Sequence, residues 1–213
     1  MKTIYNMKTI YNIIYTQMDM KLLYITLFLL IVGIDYKSDL LKVKNYKKIK
    51  TNKFVLILIV SLLSFAILYI NDYITYNYYD TGLKLSTKER DSSCDDSLED
   101  SMQAGLLEEL LFRLLVFNLI MVKFLKLDVT TSIILSSILF GLIHLTHYYY
   151  FDENISETVI TIIQATFVGV LYAFLYANTN LSTVILLHFV TDYIDFKLLR
   201  CNKLTYKKML FIE

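Results

Sequence analysis

SMQAGLLEELLFRLLVFNLIMV, residues 101–122, is apolar enough to cross a bilayer, yet it contains Glu108, Glu109 and Arg113. A charged group near the bilayer centre costs about 2.5–3.5 kcal/mol on insertion scales, so such groups persist where they pair or do chemistry. Glu109 and Arg113 are four residues apart and share a helix face, so they can form an ion pair. Glu108 points away from that pair and is the candidate for chemistry. The alternative is that all three only stabilise the helix.

The composition of the chain indicates a membrane protein. Its 213 residues are 56% hydrophobic, and the long uncharged runs favour a membrane bundle over a soluble globule. No basic groove interleaved with aromatic residues is present, which argues against a nucleic-acid partner. Cys94 and Cys201 lie far apart without CxxC spacing, so they indicate neither a disulfide framework nor a thiolate metal site.

Six hydrophobic runs predict six membrane spans, at residues 22–34, 54–70, 101–122, 129–147, 158–177 and 181–199. A signal peptide is the alternative for the first run, but no small-residue cleavage site follows it. The polar, acidic stretch 71–100 cannot span hydrocarbon and is interpreted as a linker. We therefore expect an all-α, polytopic transmembrane bundle in the cell membrane. Its predicted parts are an N-terminal membrane region (1–100), a core domain (101–200) and a basic tail (201–213).

The histidines of the chain all fall in or at the ends of predicted spans. His144 follows Phe140 by four residues, and His188 precedes Asp192 by four, so each pair shares a helix face. Antiparallel spans place Glu108 and His144 on the same side of the membrane, and the sixth span brings His188 and Asp192 to middle depth. A lone intramembrane histidine is as often a hydrogen-bonded packing residue. Two carboxylates and two imidazoles that converge instead suit general acid–base catalysis.

Three motifs carry a resemblance to a known family. EELLFR at 108–113, FGLIH at 140–144 and HFVTD at 188–192 resemble the motifs EExxxR, FxxxH and HxxxN/D of the CPBP family, also called the Abi family. That family groups type II CAAX prenyl endopeptidases with bacteriocin-processing and self-immunity proteins. Each motif alone is weak, but three in the right order and separation are specific. The similarity covers residues 103–196.

The resemblance implies four catalytic roles. Glu108 would be the general base that activates water, assisted by His144. His188 and Asp192 would hold the oxyanion of the tetrahedral intermediate. Where the family often has Asn, this chain has Asp192, and an ionised carboxylate cannot donate a hydrogen bond unless it is protonated.

Supporting roles are implied for three further residues. Glu109 and Arg113 would brace the helix, and Phe140 would pack beneath His144. His147 lies outside the matched pattern and is interpreted as an interfacial polar residue.

A metal cofactor is a separate question. Glu108, His144 and His188 could furnish a three-ligand zinc site with an open position. The HExxH helix typical of zinc proteases is absent from the sequence. We therefore expect no required cofactor, and zinc at these three residues remains the alternative.

These observations predict an intramembrane endopeptidase. Its expected partners are the lipid bilayer and a membrane-associated peptide or protein, either prenylated or a bacteriocin-type leader. One alternative is a non-catalytic bacteriocin self-immunity protein. A proton- or ion-coupled carrier ranks last, because the chain has no Pro and no visible repeat among its spans.

The sequence gives two conflicting indications of how the chain is oriented in the membrane. Antiparallel spans put the linker 71–100 and the tail 201–213 on the side where the cavity opens, and the basic loop 42–53 on the other. By the positive-inside rule, each of these two basic segments is expected in the cytoplasm. Because the tail directly follows the predicted catalytic spans, we predict a cytoplasmic tail and a cavity open to the cytoplasm.

Reporter fusions after Glu213 and within residues 42–53 test this orientation. We expect the C-terminal reporter to be active in the cytoplasm and the loop reporter on the opposite side. An extracytoplasmic C-terminus would turn the active site outward and remove the CAAX interpretation.

Overall fold

The computed structural model describes residues 20–37, 41–43, 46, 48–74, 97–146 and 155–195. Within these residues the chain is helical and has no strand, which confirms the predicted all-α class. The helices are α1 (Met20–Lys37), α2 (Lys53–Ile74), α3 (Ser97–Glu109), α4 (Val129–Ile143), α5 (Ile155–Asn178) and α6 (Leu181–Ile194). A π-helical segment, Leu110–Phe124, continues α3. Cys94, Cys201, His147 and the tail lie outside the described residues.

Each predicted span has a helix at its position, but the helices differ in length. Among the described residues, two stretches are long and apolar enough to cross a membrane, Lys53–Asn71 and Thr158–Asn178. Helices α4 and α6 have 15 and 14 residues. At about 1.5 Å of rise per residue they are shorter than a hydrocarbon core of about 30 Å. The count of six complete crossings remains a prediction.

Helix α4 ends earlier than its predicted span. The span was predicted to reach residue 147, whereas the helix ends at Ile143. The His144 Nδ1 lies 2.9 Å from the Phe140 carbonyl oxygen, the acceptor that a continued helix would offer to the His144 backbone N–H. That N–H bonds to the Gly141 carbonyl at 3.0 Å instead. The side chain thus competes with the backbone and helps to end the helix.

Hydrogen bonds tie the end of α1 and the loop that follows it to the start of α6 and the end of α5. The Ser182 N–H donates to Asp35 Oδ2 at 2.7 Å, and the Ile49 N–H donates to Asn178 Oδ1 at 3.0 Å. Helix α1 also packs on α3 and α6, and α2 packs on α5. The first two helices therefore share a buried core with residues after 100. A domain boundary at residue 100 remains a prediction.

Gly105 allows the backbones of α3 and α6 to approach closely. A Cβ atom at this position would lie 2.8 Å from the Phe189 nitrogen and 3.1 Å from the Ile185 carbonyl oxygen. Since both neighbours are backbone atoms, any larger residue would push the helices apart. One turn beyond Gly105 is Glu109, and one turn beyond Ile185 is His188, so this contact controls the separation of two predicted site residues.

We predict that Gly105→Ala destabilises the protein. Overpacking a close helix contact costs about 1–3 kcal/mol, so the thermal unfolding midpoint in detergent should fall. Gly33→Ala is the matched control, because nothing lies within 4 Å of an added Cβ there. Alanine also has the higher helix propensity, so the control should not lose stability. Equal midpoints for the two variants would contradict the close packing of α3 on α6.

Candidate active site

Glu109 links two charged or polar partners at the contact between α3 and α6. Its Oε1 lies 2.7 Å from His188 Nδ1, and its Oε2 lies 2.9 Å from Arg113 Nε. The Glu109 and Arg113 side chains are fully buried. Because a carboxylate only accepts hydrogen bonds, the Nδ1 of His188 carries the proton and donates it. Glu109 therefore fixes which edge of the His188 imidazole faces the rest of the site.

Arg113 lies between Glu109 and the face of an aromatic ring. Its guanidinium carbon is 4.5 Å from the Phe140 ring centroid and 5.9 Å from that of Tyr172. A cation over a ring face is stabilised by the ring quadrupole, and more so when it is desolvated. The Glu109 carboxylate supplies the opposite charge that a buried guanidinium requires. The ion pair predicted from the i, i+4 spacing is therefore present, and its carboxylate has a second partner in His188.

The remaining edge of His188 faces two carboxylates. Its Nε2 lies 3.4 Å from Asp192 Oδ2 and 3.8 Å from Glu108 Oε2. The Glu108 side chain is 35% exposed, compared with 7% for His188, so Glu108 occupies the open edge of the cluster. Three carboxylates thus lie within 4 Å of the His188 imidazole, and one of them also pairs with the Arg113 guanidinium. A protonated His188 would reduce this excess of negative charge.

Phe140 connects His144 to the cluster. The Phe140 ring contacts the His144 ring edge-on, with centroids 5.1 Å apart, and its centroid is 6.2 Å from that of His188. Since the Phe140 carbonyl can only accept, His144 donates through Nδ1, and its Nε2 carries the lone pair. His144 thus has the tautomer that a base partner needs. The four predicted catalytic residues thus lie at one end of the bundle. Glu108 and Asp192 lie beside His188, and His144 is connected to them through the Phe140 ring.

A shallow, open surface cavity of about 300 Å³ lies on α3 beside Glu108. Its lining residues are Asp100, Gln103, Ala104, Leu107 and Glu108, which lie on one side of α3. Glu108 is the cluster residue that reaches this cavity. A substrate in the cavity would therefore meet Glu108 before any other group of the site.

The expectation of no required cofactor stays a prediction. Among the described parts of the chain, no group of three or more His, Cys, Asp or Glu side chains is arranged to hold a metal ion. Glu108, His144 and His188 all belong to the described parts. Of these, the His188 Nε2 lies 3.8 Å from Glu108 Oε2, whereas His144 contacts the carbonyl oxygen and the ring of Phe140.

Tyr172 is a site residue that the sequence does not reveal. Its side chain is fully buried, and its ring centroid lies 5.2 Å from that of His188. It is one of 18 tyrosines in the chain, and no motif marks it. The pairing of Glu109 with His188 was missed for a related reason, because it depends on the approach of α3 to α6.

Comparison with known protein families finds a match for the second half of the chain. Residues 99–194 match a family model described as Type II CAAX prenyl endopeptidase Rce1-like. This range contains all three motifs noted in the sequence. No curated protein and no solved structure matches the chain.

Glu109 and Glu108 should differ in their effect on stability. Glu109→Gln leaves the buried Arg113 without its counter-charge, and breaking a buried pair costs about 3–5 kcal/mol. Glu108→Gln, at the open edge, should leave the thermal unfolding midpoint close to that of the wild type. Thermal unfolding midpoints in detergent measure this difference, and equal losses for the two neighbouring variants would contradict the deeper burial of Glu109.

Proposed function

We propose that the protein is an intramembrane endopeptidase of the CAAX protease family in which Glu108 activates water, because residues 99–194 match the type II CAAX prenyl endopeptidase Rce1-like model. The observation that carries the proposal is the position of Glu108. It lines the cavity, and its Oε2 faces the Nε2 of His188 at 3.8 Å. Base, electrophilic partner and substrate space are therefore adjacent, as hydrolysis of a peptide bond requires.

In the proposed mechanism Glu108 takes a proton from a water molecule, and the resulting hydroxide attacks the peptide carbonyl carbon. The carbonyl oxygen becomes an oxyanion, which accepts a hydrogen bond from the Nε2–H of a protonated His188. Glu108 then returns its proton to the leaving nitrogen as the C–N bond breaks. His144, through its Nε2, supports Glu108 in holding the water.

Glu109 and Asp192 act on His188 rather than on the substrate. Glu109 accepts the Nδ1–H and is charged, so it favours the protonated imidazole that the oxyanion needs. Asp192 Oδ2, 3.4 Å from Nε2, adds a second negative charge beside the ring. Asp192 therefore supports the donor instead of donating to the oxyanion itself. This role suits an aspartate at a position where the family often has asparagine.

The proposed substrate is a membrane-associated peptide or protein, with a prenylated CAAX-type C-terminus as the first candidate. The family match supports this class of substrate. The cavity contains the apolar Ala104 and Leu107 between the polar Asp100 and Gln103 and the catalytic Glu108, so it suits a chain with both apolar and polar groups. The proposed location is a multi-pass position in the cell membrane.

Glu108→Gln should abolish hydrolysis in a folded protein. The substitution keeps the side-chain volume but removes the base, and loss of general acid–base catalysis lowers kcat by about 10²–10⁴-fold. The assay uses the purified chain in bilayers with a fluorogenic peptide that carries a farnesylated CAAX end, and the same peptide without the lipid.

Glu99→Gln is the control, because Glu99 lies in the first turn of the same helix, two turns before the site. It should keep wild-type rates. Wild-type activity in Glu108→Gln, with cleavage products confirmed by mass, would remove Glu108 from the mechanism.

A further inference from the structure

One end of the bundle carries a concentration of exposed lysines. This end contains the loop between α1 and α2, the start of α4 and the turn between α5 and α6. Its exposed basic residues, which we call the lysine rim, are Lys37, Lys42, Lys48, Lys50, Lys53 and Lys126. Among the described residues of this end, Asp128 is the exposed acid. The rim is therefore strongly positive.

The fold holds these lysines together on one surface. The Asn118 Nδ2 donates to the Leu41 carbonyl at 3.1 Å, and the Asn178 side chain binds the Ile49 N–H, so both ends of the loop are anchored to the bundle. Partial burial and the positive charges of Lys53 and Lys42 lower the pKa of Lys48. Their ammonium groups are therefore close enough to repel one another. A repulsive cluster held by the fold is suited to an anionic partner.

Exposed aromatic residues flank the lysine rim. Tyr36, Phe54 and Phe124 are 88%, 73% and 79% exposed, and each is adjacent in sequence to a lysine. Tyrosine is enriched at the level of lipid headgroups, and exposed phenylalanine is favoured where it can enter the boundary between headgroups and acyl chains. Aromatic and basic residues at one end of a helical bundle are typical of a surface that lies at the membrane interface.

A groove on α1 leads to the same end. It has a volume of about 380 Å³ and is lined by Leu29, Leu30, Gly33, Ile34 and Lys37. Its floor is apolar, Gly33 leaves it open, and an ammonium group stands at the end nearest the rim. These features fit a molecule with a hydrocarbon chain and an anionic head.

We propose that the lysine rim binds anionic phospholipids, with an acyl chain in the groove on α1 and the phosphate at Lys37 and its neighbouring lysines. The α1–α2 loop lies at the opposite end of the bundle from His144, which follows the far end of α4. The lipid site is therefore separate from the proposed catalytic site and does not depend on proteolysis.

The first test compares lipids that differ only in headgroup. The full chain is purified in detergent and titrated with phosphatidylglycerol or with phosphatidylcholine of the same acyl chains, and the thermal unfolding midpoint is recorded. Phosphatidylglycerol should raise the midpoint by several degrees more than phosphatidylcholine. The difference should shrink in about 0.5 M salt, because exposed charges are then screened. Equal effects of the two lipids would overturn the proposal.

Variants locate the site. Changing Lys37, Lys48, Lys50 and Lys53 together to glutamine should abolish the extra stabilisation by phosphatidylglycerol, whereas the matched fourfold change to arginine should retain it. Gly33→Leu should reduce the extra stabilisation by phosphatidylglycerol, because the leucine side chain would fill the groove. Binding by charge at this rim would be contradicted if the glutamine variant kept the extra stabilisation by phosphatidylglycerol, or if the arginine variant lost it.

A last experiment distinguishes binding of a lipid from binding of a soluble phosphate compound. Glycerol phosphate at the same concentration should leave the midpoint unchanged, because it has no acyl chain to occupy the groove. If glycerol phosphate stabilises the protein as strongly as phosphatidylglycerol, the site binds a soluble phosphate and the lipid proposal fails.

Discussion

The buried carboxylate of Glu109 is the interaction on which the site depends. One of its oxygens compensates the Arg113 guanidinium, and the other accepts the Nδ1–H of His188. A fully buried charge is tolerated because both oxygens have partners. The same pairing turns Nε2 of His188 toward Glu108 and Asp192. The Glu109 carboxylate therefore contributes both to the stability of the protein and to the orientation of His188, while the partly exposed Glu108 is left available for chemistry.

The surrounding bundle supplies the geometry that this carboxylate requires. Gly105 lets α3 approach α6 closely enough for Glu109 to reach His188. The Phe140 ring packs against the Arg113 guanidinium and against the His144 ring, so it connects His144 to the Glu109–Arg113 pair. The hydrogen bond between Asp35 and Ser182 fixes the start of α6 from the opposite end. Helices before and after residue 100 thus contribute to one core.

Local rules predicted a large part of this arrangement. The i, i+4 spacing predicted the pair of Glu109 and Arg113, hydrophobic runs predicted the helices, and the motif order predicted the family. The bond from Glu109 to His188 joins residues 79 positions apart and depends on the contact at Gly105, so no local rule contains it. The early end of α4 was missed because a side-chain bond from His144 replaces a backbone bond. The periodicity of hydrophobic residues predicts neither contacts between distant segments nor side chains that compete for backbone hydrogen bonds.

The central claim is that Glu109 holds the Nδ1 proton of His188. Nitrogen-15 NMR of histidine-labelled protein in bilayers tests it directly, because the chain has 3 histidines and replacing each in turn assigns the spectrum. We expect a protonated Nδ1 in His188 with the chemical shift of a strong hydrogen bond to a carboxylate, and its loss or shift in Glu109→Gln with His144 unchanged. An unprotonated Nδ1 in the wild-type protein would contradict the account.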